Sequence, residues 1–336
     1  MMRQDRAAAA VGRTREVSMD MFENVLVVVE PGPQSDSAVR RARALALHSG
    51  ARLTLFGVVR DIPGGARAVT GTLPPEEFQG QVVADLRAGI AAAADDLRAA
   101  GIEVDSTVAV GRPFIEVIRK VLRDGHDLVI QAAEGRVGLR ERLFGSLSLH
   151  LMRKCPCPVW VVKADGPQRY ARILAAVDIG EEFQFSGRSS LNPVILHYAA
   201  ALARMDGSEL HVVQAWSLYQ EGYMQARGGM DDSALRKLRR ETREHYEQQL
   251  RAFVAGQDLG GVRAHEHVVH GDAPRMITNL VRKERFDLLV MGTLCRTGLA
   301  GLLIGNTAEK VLNTVGCSVL TVKPEGFVSP VTLDDA

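Results

Sequence analysis

The sequence predicts an α/β fold of two tandem domains, each a five-stranded parallel sheet flanked by helices. Three observations predict it: a long internal repeat, an alternation of β-branched runs with segments of helical periodicity, and a chain length beyond the usual single-domain size. The repeat is explicit. DLVIQAAEGRVGLRERLFGS begins at Asp127 and DLLVMGTLCRTGLAGLLIGN begins at Asp287, a register of 160 residues. Gly111 pairs with Gly271 in that register, Gly138 with Gly298, Gly145 with Gly305, Cys157 with Cys317 and Lys163 with Lys323, without a gap. A period this long occurring twice describes duplicated globular domains rather than a solenoid.

In the first half, NVLVVVE, RLTLFGVV, VDSTVAV, DLVIQ and PVWVVK read as strands. Their nearly continuous apolar character predicts burial on both faces, as in a parallel sheet covered by helices. The second half supplies RILAAVD, ELHVVQAW, RAHEHVV, DLLVM and SVLTVK, with helices over Pro193 to Met205, Asp231 to Ala255, Pro274 to Glu284 and Thr307 to Asn313. Each half is thus Rossmann-like. Upstream of the shared register the match loosens, because RILAAVDIGEEFQFSGRSSLNP carries more residues before its first helix than NVLVVVEPGPQSD does. The helix after Asp231 is dense in Arg and Glu, but Leu235, Leu238, Tyr246, Leu250 and Phe253 fall near helical spacing, so its charges form a solvated outer face.

The expected organisation is a disordered tail over 1–20, domains over 21–166 and 167–324, and a C-terminal tail over 325–336. The polar segment ADGPQRY, Ala164 to Tyr170, links the domains. The leader MMRQDRAAAAVGRTREVSMD offers almost nothing large to bury, and Met19 and Met21 are alternative starts.

Lys and Arg number 41 against 40 Asp and Glu, so no net field draws the chain to nucleic acid or to an anionic membrane. No apolar run reaches the ~20 residues of a membrane span, and a cytoplasmic protein is expected. The cysteines Cys155, Cys157, Cys295 and Cys317 are too few and too uneven for a secreted disulfide framework. The KCPCPVW pair reads as small thiols packed at a strand entrance, since zinc needs two further ligands. His265 and His267 share one strand face while His270 has the opposite parity, which argues against a metal site.

In an open parallel sheet the ligand crevice lies beyond the carboxyl ends of the strands where the strand order reverses. The second-half candidates are therefore Asp178, Ala215 and the loop from Gly292 to Lys310, in which Gly305-Asn306-Thr307 opens a helix. Glycines at 292, 298, 301 and 305 permit the close backbone approach that phosphate needs, and equally a plain turn. Asp178 has two readings, a ligand contact or a residue that only turns or caps the chain. No nucleophile elbow, zinc-protease helix or cysteine-histidine spacing is present, so a non-enzyme is expected.

GTLCRTGLAGLLIGNTAEKVL followed by CSVLTVKP resembles the C-terminal region of universal stress protein domains, and the likeness extends over nearly all of both halves. The closing VKPEGFVSPVTLDD resembles the tail of tandem members of that family. The resemblance implies domains that pair through their last strands about a pseudo-two-fold axis, and PVWVVK and SVLTVK are apolar edges that need such covering. It also implies, in nucleotide-binding members, an adenine nucleotide such as ATP, with Mg2+, held by a loop G-x2-G-x9-G-(S/T). The second-half loop reads Gly292, Cys295, Gly305, Asn306 and Thr307, departing at Cys295 and Asn306. The first-half set is Glu30, Val58, Gly135, Gly145 and Ser146, with Ala132 replacing the first glycine and Glu134 adding charge to the loop. The leading expectation is an adenine-nucleotide-binding stress-response module. The alternatives are a scaffold or binder of another ligand, with a homodimer left open, and an adenylyl-transfer type of enzyme.

Overall fold

The computed structural model describes residues 21–32, 35–62, 74–133, 144–180, 191–218, 232–293 and 305–333. The expectations for the leader, for Glu134, Gly135 and Cys295, and for most of the insert after Asp178 lie outside these residues.

The first half runs β1 (Asn24–Val29), α1 (Asp36–Ser49), β2 (Arg52–Val59), α2 (Pro75–Ala99), β3 (Val104–Val110), α3 (Pro113–Asp124), β4 (Leu128–Ala132), α4 (Ser146–Lys154) and β5 (Val159–Val162). The second half repeats it as β6 (Arg172–Val177), α5 (Asn192–Asp206), β7 (Glu209–Trp216), α6 (Asp232–Ala255), β8 (Ala264–His270), α7 (Ala273–Glu284), β9 (Leu288–Gly292), α8 (Asn306–Leu312) and β10 (Ser318–Val322). All ten strands form one sheet of order β3-β2-β1-β4-β5-β10-β9-β6-β7-β8. Every pairing is parallel except the central β5–β10 contact, where Val161 faces Val319 and Trp160 faces Leu320. That palindromic order with one antiparallel seam is the signature of a pseudo-two-fold axis.

The two core layers follow from the crossovers. One face buries apolar side chains of α1, α2, α5 and α6, including Leu45, Ile90, Leu196 and Leu250. The other buries those of α3, α4, α7 and α8, including Ile118, Leu151, Ile277 and Val311. The outer helix α6 turns Leu235 and Leu250 inward and pairs Lys237 with Glu241 and Arg243 with Glu247 on its wet face. The burial expected of every strand fails at β3 and β8. These are the sheet edges, half-exposed along most of their length, because an apolar run specifies a strand but not its place in the order.

The repeated aspartates explain why the register is kept. Asp127 accepts the backbone N–H groups of Glu23 and Asn24, and Asp287 accepts those of Ala171 and Arg172. Each carboxylate ties the loop before its sheet's fourth strand to the start of the first. The halves also exchange side chains across the axis. Arg41 of α1 lies 3.7 Å over the ring of Tyr170 in the second half, and Tyr198 of α5 stacks at 4.7 Å on Phe22 in the first. Beyond β10 the chain packs back onto the first half, where Arg119 of α3 donates to the Thr332 carbonyl at 3.3 Å.

Candidate functional site

In the second half the strand order reverses between β6 and β9, and a cavity of about 260 Å3 opens there at the carboxyl ends of the strands. Asp178, Ala215, Gly292, Gly305, Asn306 and Thr307 all line it. They arrive from the ends of β6, β7 and β9 and the start of α8. Val177, Ile195, Ile277 and Met291 supply apolar wall. Among the described lining residues there is no lysine or arginine, and the one charged side chain is the half-buried carboxylate of Asp178.

Two amide side chains that the sequence did not single out hold the crevice open. Asn192 accepts the Asp178 N–H at 3.0 Å and returns a hydrogen bond to the Asp178 carbonyl at 2.7 Å. Gln214 accepts the Ile179 N–H at 2.9 Å and donates to the Ala215 carbonyl at 2.8 Å. Both are buried, and together they fix the backbone at the tips of β6 and β7. A polar residue inside an otherwise apolar strand, as in ELHVVQAW, was the available signal for Gln214. The loop root is fastened too. The Gly305 N–H donates to the Thr293 carbonyl at 2.8 Å, and Lys323 donates to the Thr293 hydroxyl at 2.6 Å and to the Met152 carbonyl. Burial holds the Lys323 ammonium down at about 8.

The first-half counterparts are arranged differently. Ser35 takes the place of Asn192, accepting the Glu30 N–H at 2.8 Å and bonding the Glu30 carbonyl. Glu30 lines a groove of about 1010 Å3 between α1 and α2, together with Asp36, Asp85 and Asp96. Val58, Gly145 and Ser146 are not among the described residues that line that groove. Val58 packs on the core layer that holds Phe56 and Val117, the layer from which Ile277 and Met291 reach the second-half crevice.

The other sequence candidates are structural in their surroundings. Cys155 and Cys157 are buried with their sulfurs 3.5 Å apart, and the Cys157 thiol is pushed well up by that contact and by burial. Burial likewise pushes the Cys317 thiol up to about 12. His267 approaches His211 at 2.8 Å, His265 stacks on His211, and His270 lies tilted against Trp216. Among the described residues no group of three His, Cys, Asp or Glu is placed to hold a metal, and no helix is long and apolar enough to cross a membrane.

The comparisons with known proteins agree with this architecture. Universal stress protein E of Escherichia coli strain K12 is 30% identical over 323 residues, which cover 94% of this chain and 99% of that protein. The crystal structure of PA1789 from Pseudomonas aeruginosa PAO1, described as functionally unknown, superposes with a TM-score of 0.69 at 25% identity, covering 92% of this chain and 95% of that one. A putative universal stress protein from Pseudomonas aeruginosa UCBPP-PA14 gives 0.67 at 26% identity, covering 92% and 96%. The model of the universal stress protein family matches residues 21–163 and again 169–323, one match for each half of the palindromic sheet. With the repeat, the topology and both matches in accord, the chain belongs to the universal stress protein family.

Proposed function

We propose that the second half is an adenine-nucleotide-binding module, taking ATP with Mg2+ in the crevice between β6 and β9, and that it serves a cytoplasmic stress response by binding rather than by chemistry. The observation that supports it most is convergence. Asp178, Ala215, Gly292, Gly305, Asn306 and Thr307, far apart in sequence, border one cavity at the switch point of a parallel sheet, where such folds take their ligands.

The residues suit the parts of the ligand unequally. A cavity of about 260 Å3 is below the ~300–1,000 Å3 of most small-molecule pockets, which suits a base and its sugar with the phosphates lying outside. Apolar walls accept the base, and the Asp178 carboxylate accepts hydrogen bonds from sugar hydroxyls. At the phosphate end stand the Asn306 amide and the Thr307 hydroxyl, both exposed, with no cationic side chain among the described residues that line the cavity. Phosphate charge there calls for Mg2+, which keeps most of its water and binds through phosphate oxygens. A second reading, in which a half serves as scaffold, is favoured in the first half by the carboxylates of Glu30, Asp36, Asp85 and Asp96, which line one groove and would repel phosphate.

Titration calorimetry with ATP and Mg2+ tests the proposal on the wild type and on a folded Gly305→Asp variant. Loss of one saturable ATP site in the variant is the expected result. Absence of saturation at millimolar ATP, checked by an equilibrium method that does not depend on enthalpy, would refute it.

A further inference from the structure

A cavity of about 460 Å3 lies along the seam between the halves, away from the crevice just described. Its walls are Ser37, Arg40, Arg41 and Arg43 of α1, Arg169 of the interdomain segment, and Asp206 at the end of α5. Asp206 is the single carboxylate among the described lining residues, and it is already taken up in a two-pronged pair with Arg41. Arg40, Arg43 and Arg169 enter none of the ion pairs found among the described residues. Arg40 and Arg43 also border the groove that holds Asp36, Asp85 and Asp96 on the other flank of α1, whereas Arg169 belongs to the seam cavity and not to that groove.

The second observation concerns hydrogen bonding. The Ser37 hydroxyl and the Arg41 Nε are buried without a hydrogen-bond partner, on two residues that line this cavity. The two residues are 6% and 3% exposed. Buried donors are almost always satisfied, and with these two closed to solvent the donors that a ligand in the cavity meets are the exposed Arg40, Arg43 and Arg169. Guanidinium forks match the oxygens of phosphate in pairs, and the cavity falls within the size range of small-molecule sites.

We propose that this seam cavity is a second binding site, specific for a small molecule carrying two or more phosphate groups and held by Arg43 and Arg169. Its ligand lies against the Arg41–Asp206 pair that joins the halves, so occupancy stiffens the seam. The site requires no adenine pocket and stands apart from the nucleotide reading of the second half.

Inorganic pyrophosphate is the probe, titrated into the full chain at low ionic strength with calorimetry and thermal denaturation as readouts. The wild type is expected to bind one pyrophosphate saturably and to gain melting temperature, with affinity falling as salt rises. Combining Arg43→Ala with Arg169→Ala removes two exposed, unpaired guanidinium groups without touching the core, and weakens binding by at least about tenfold. Gly305→Asp leaves pyrophosphate binding intact. Three results overturn the proposal: no saturation at millimolar pyrophosphate, affinity unchanged in the double arginine variant, or loss of binding in Gly305→Asp.

Discussion

Removing the Asp206 carboxylate tests how the halves are joined. Arg41 and Asp206 are each 3% exposed at the side chain, and the guanidinium meets both carboxylate oxygens at 3.0 and 2.5 Å. Arg41 also donates to the Gln168 carbonyl at 3.1 Å, and Asp206 accepts the Tyr170 N–H at 2.9 Å. Asp206→Ala leaves a guanidinium between Tyr170 and Trp160 with no counter-charge and strands the Tyr170 amide. Breaking a buried pair in this way costs about 3–5 kcal/mol, against ~1 kcal/mol or less for an exposed pair. Urea unfolding followed by circular dichroism measures the loss. Trp160 emission is a local reporter, because Arg41 lies 5.0 Å over its ring. The paired change Arg41→Met with Asp206→Leu removes both charges and recovers much of the stability, since an apolar replacement of a buried pair is often neutral. A cost below about 1 kcal/mol for Asp206→Ala, or a double variant no better than the single one, would refute the view that this pair fastens the seam.

Three further outcomes follow from the same packing. Lys323 titrates at about 8 in the fold against 10.5 unfolded, so between those values the unfolded chain binds more protons and stability rises with pH. Denaturant titrations from pH 7 to 10.5 are expected to show the wild type gaining about 3 kcal/mol relative to Lys323→Met, and a flat difference would contradict the burial of that ammonium. Asn192→Ala removes both hydrogen bonds to the Asp178 backbone, lowers stability by about 1–3 kcal/mol and weakens ATP binding, read by thermal denaturation and calorimetry on the same variant. Gly57→Ala places a methyl group 2.7 Å from Ile90 Cδ1 and from Leu86 Cδ2, an overpacking cost of about 1–3 kcal/mol that a melting curve checks.

The strands and helices were legible because β-branched runs and helical stripes are local signals, and the repeat supplied each twice. What was not legible depended on contacts between distant segments. The edge position of β3 and β8 is decided by the strand order, not by their own residues. Arg41 is tied to Asp206 by a bond spanning 165 positions. Its one local clue was an arginine at helical spacing with Ala38, Ala42 and Leu45 on the buried stripe of α1. At the crevice, strand-end logic and glycine spacing pointed to Asp178, Ala215, Gly292 and Gly305. Asn192 and Gln214 escaped it, because an amide that bonds backbone looks like any other polar residue until the partner strand is in place. The same logic named Glu30 and Val58 in the first half, but not that Glu30 lies in a groove shared with Asp36, Asp85 and Asp96, which only the packing of α1 on α2 brings together.

The central claim is that one nucleotide site exists and that it belongs to the second half. Equilibrium dialysis with labelled ATP and Mg2+ tests it most directly, on the chain carrying Arg43→Ala and Arg169→Ala to silence the seam cavity, alone and with Gly305→Asp or Gly145→Asp added. One ATP per chain, lost in Gly305→Asp and kept in Gly145→Asp, is the predicted result. No binding, two ATP per chain, or loss only in Gly145→Asp would contradict it.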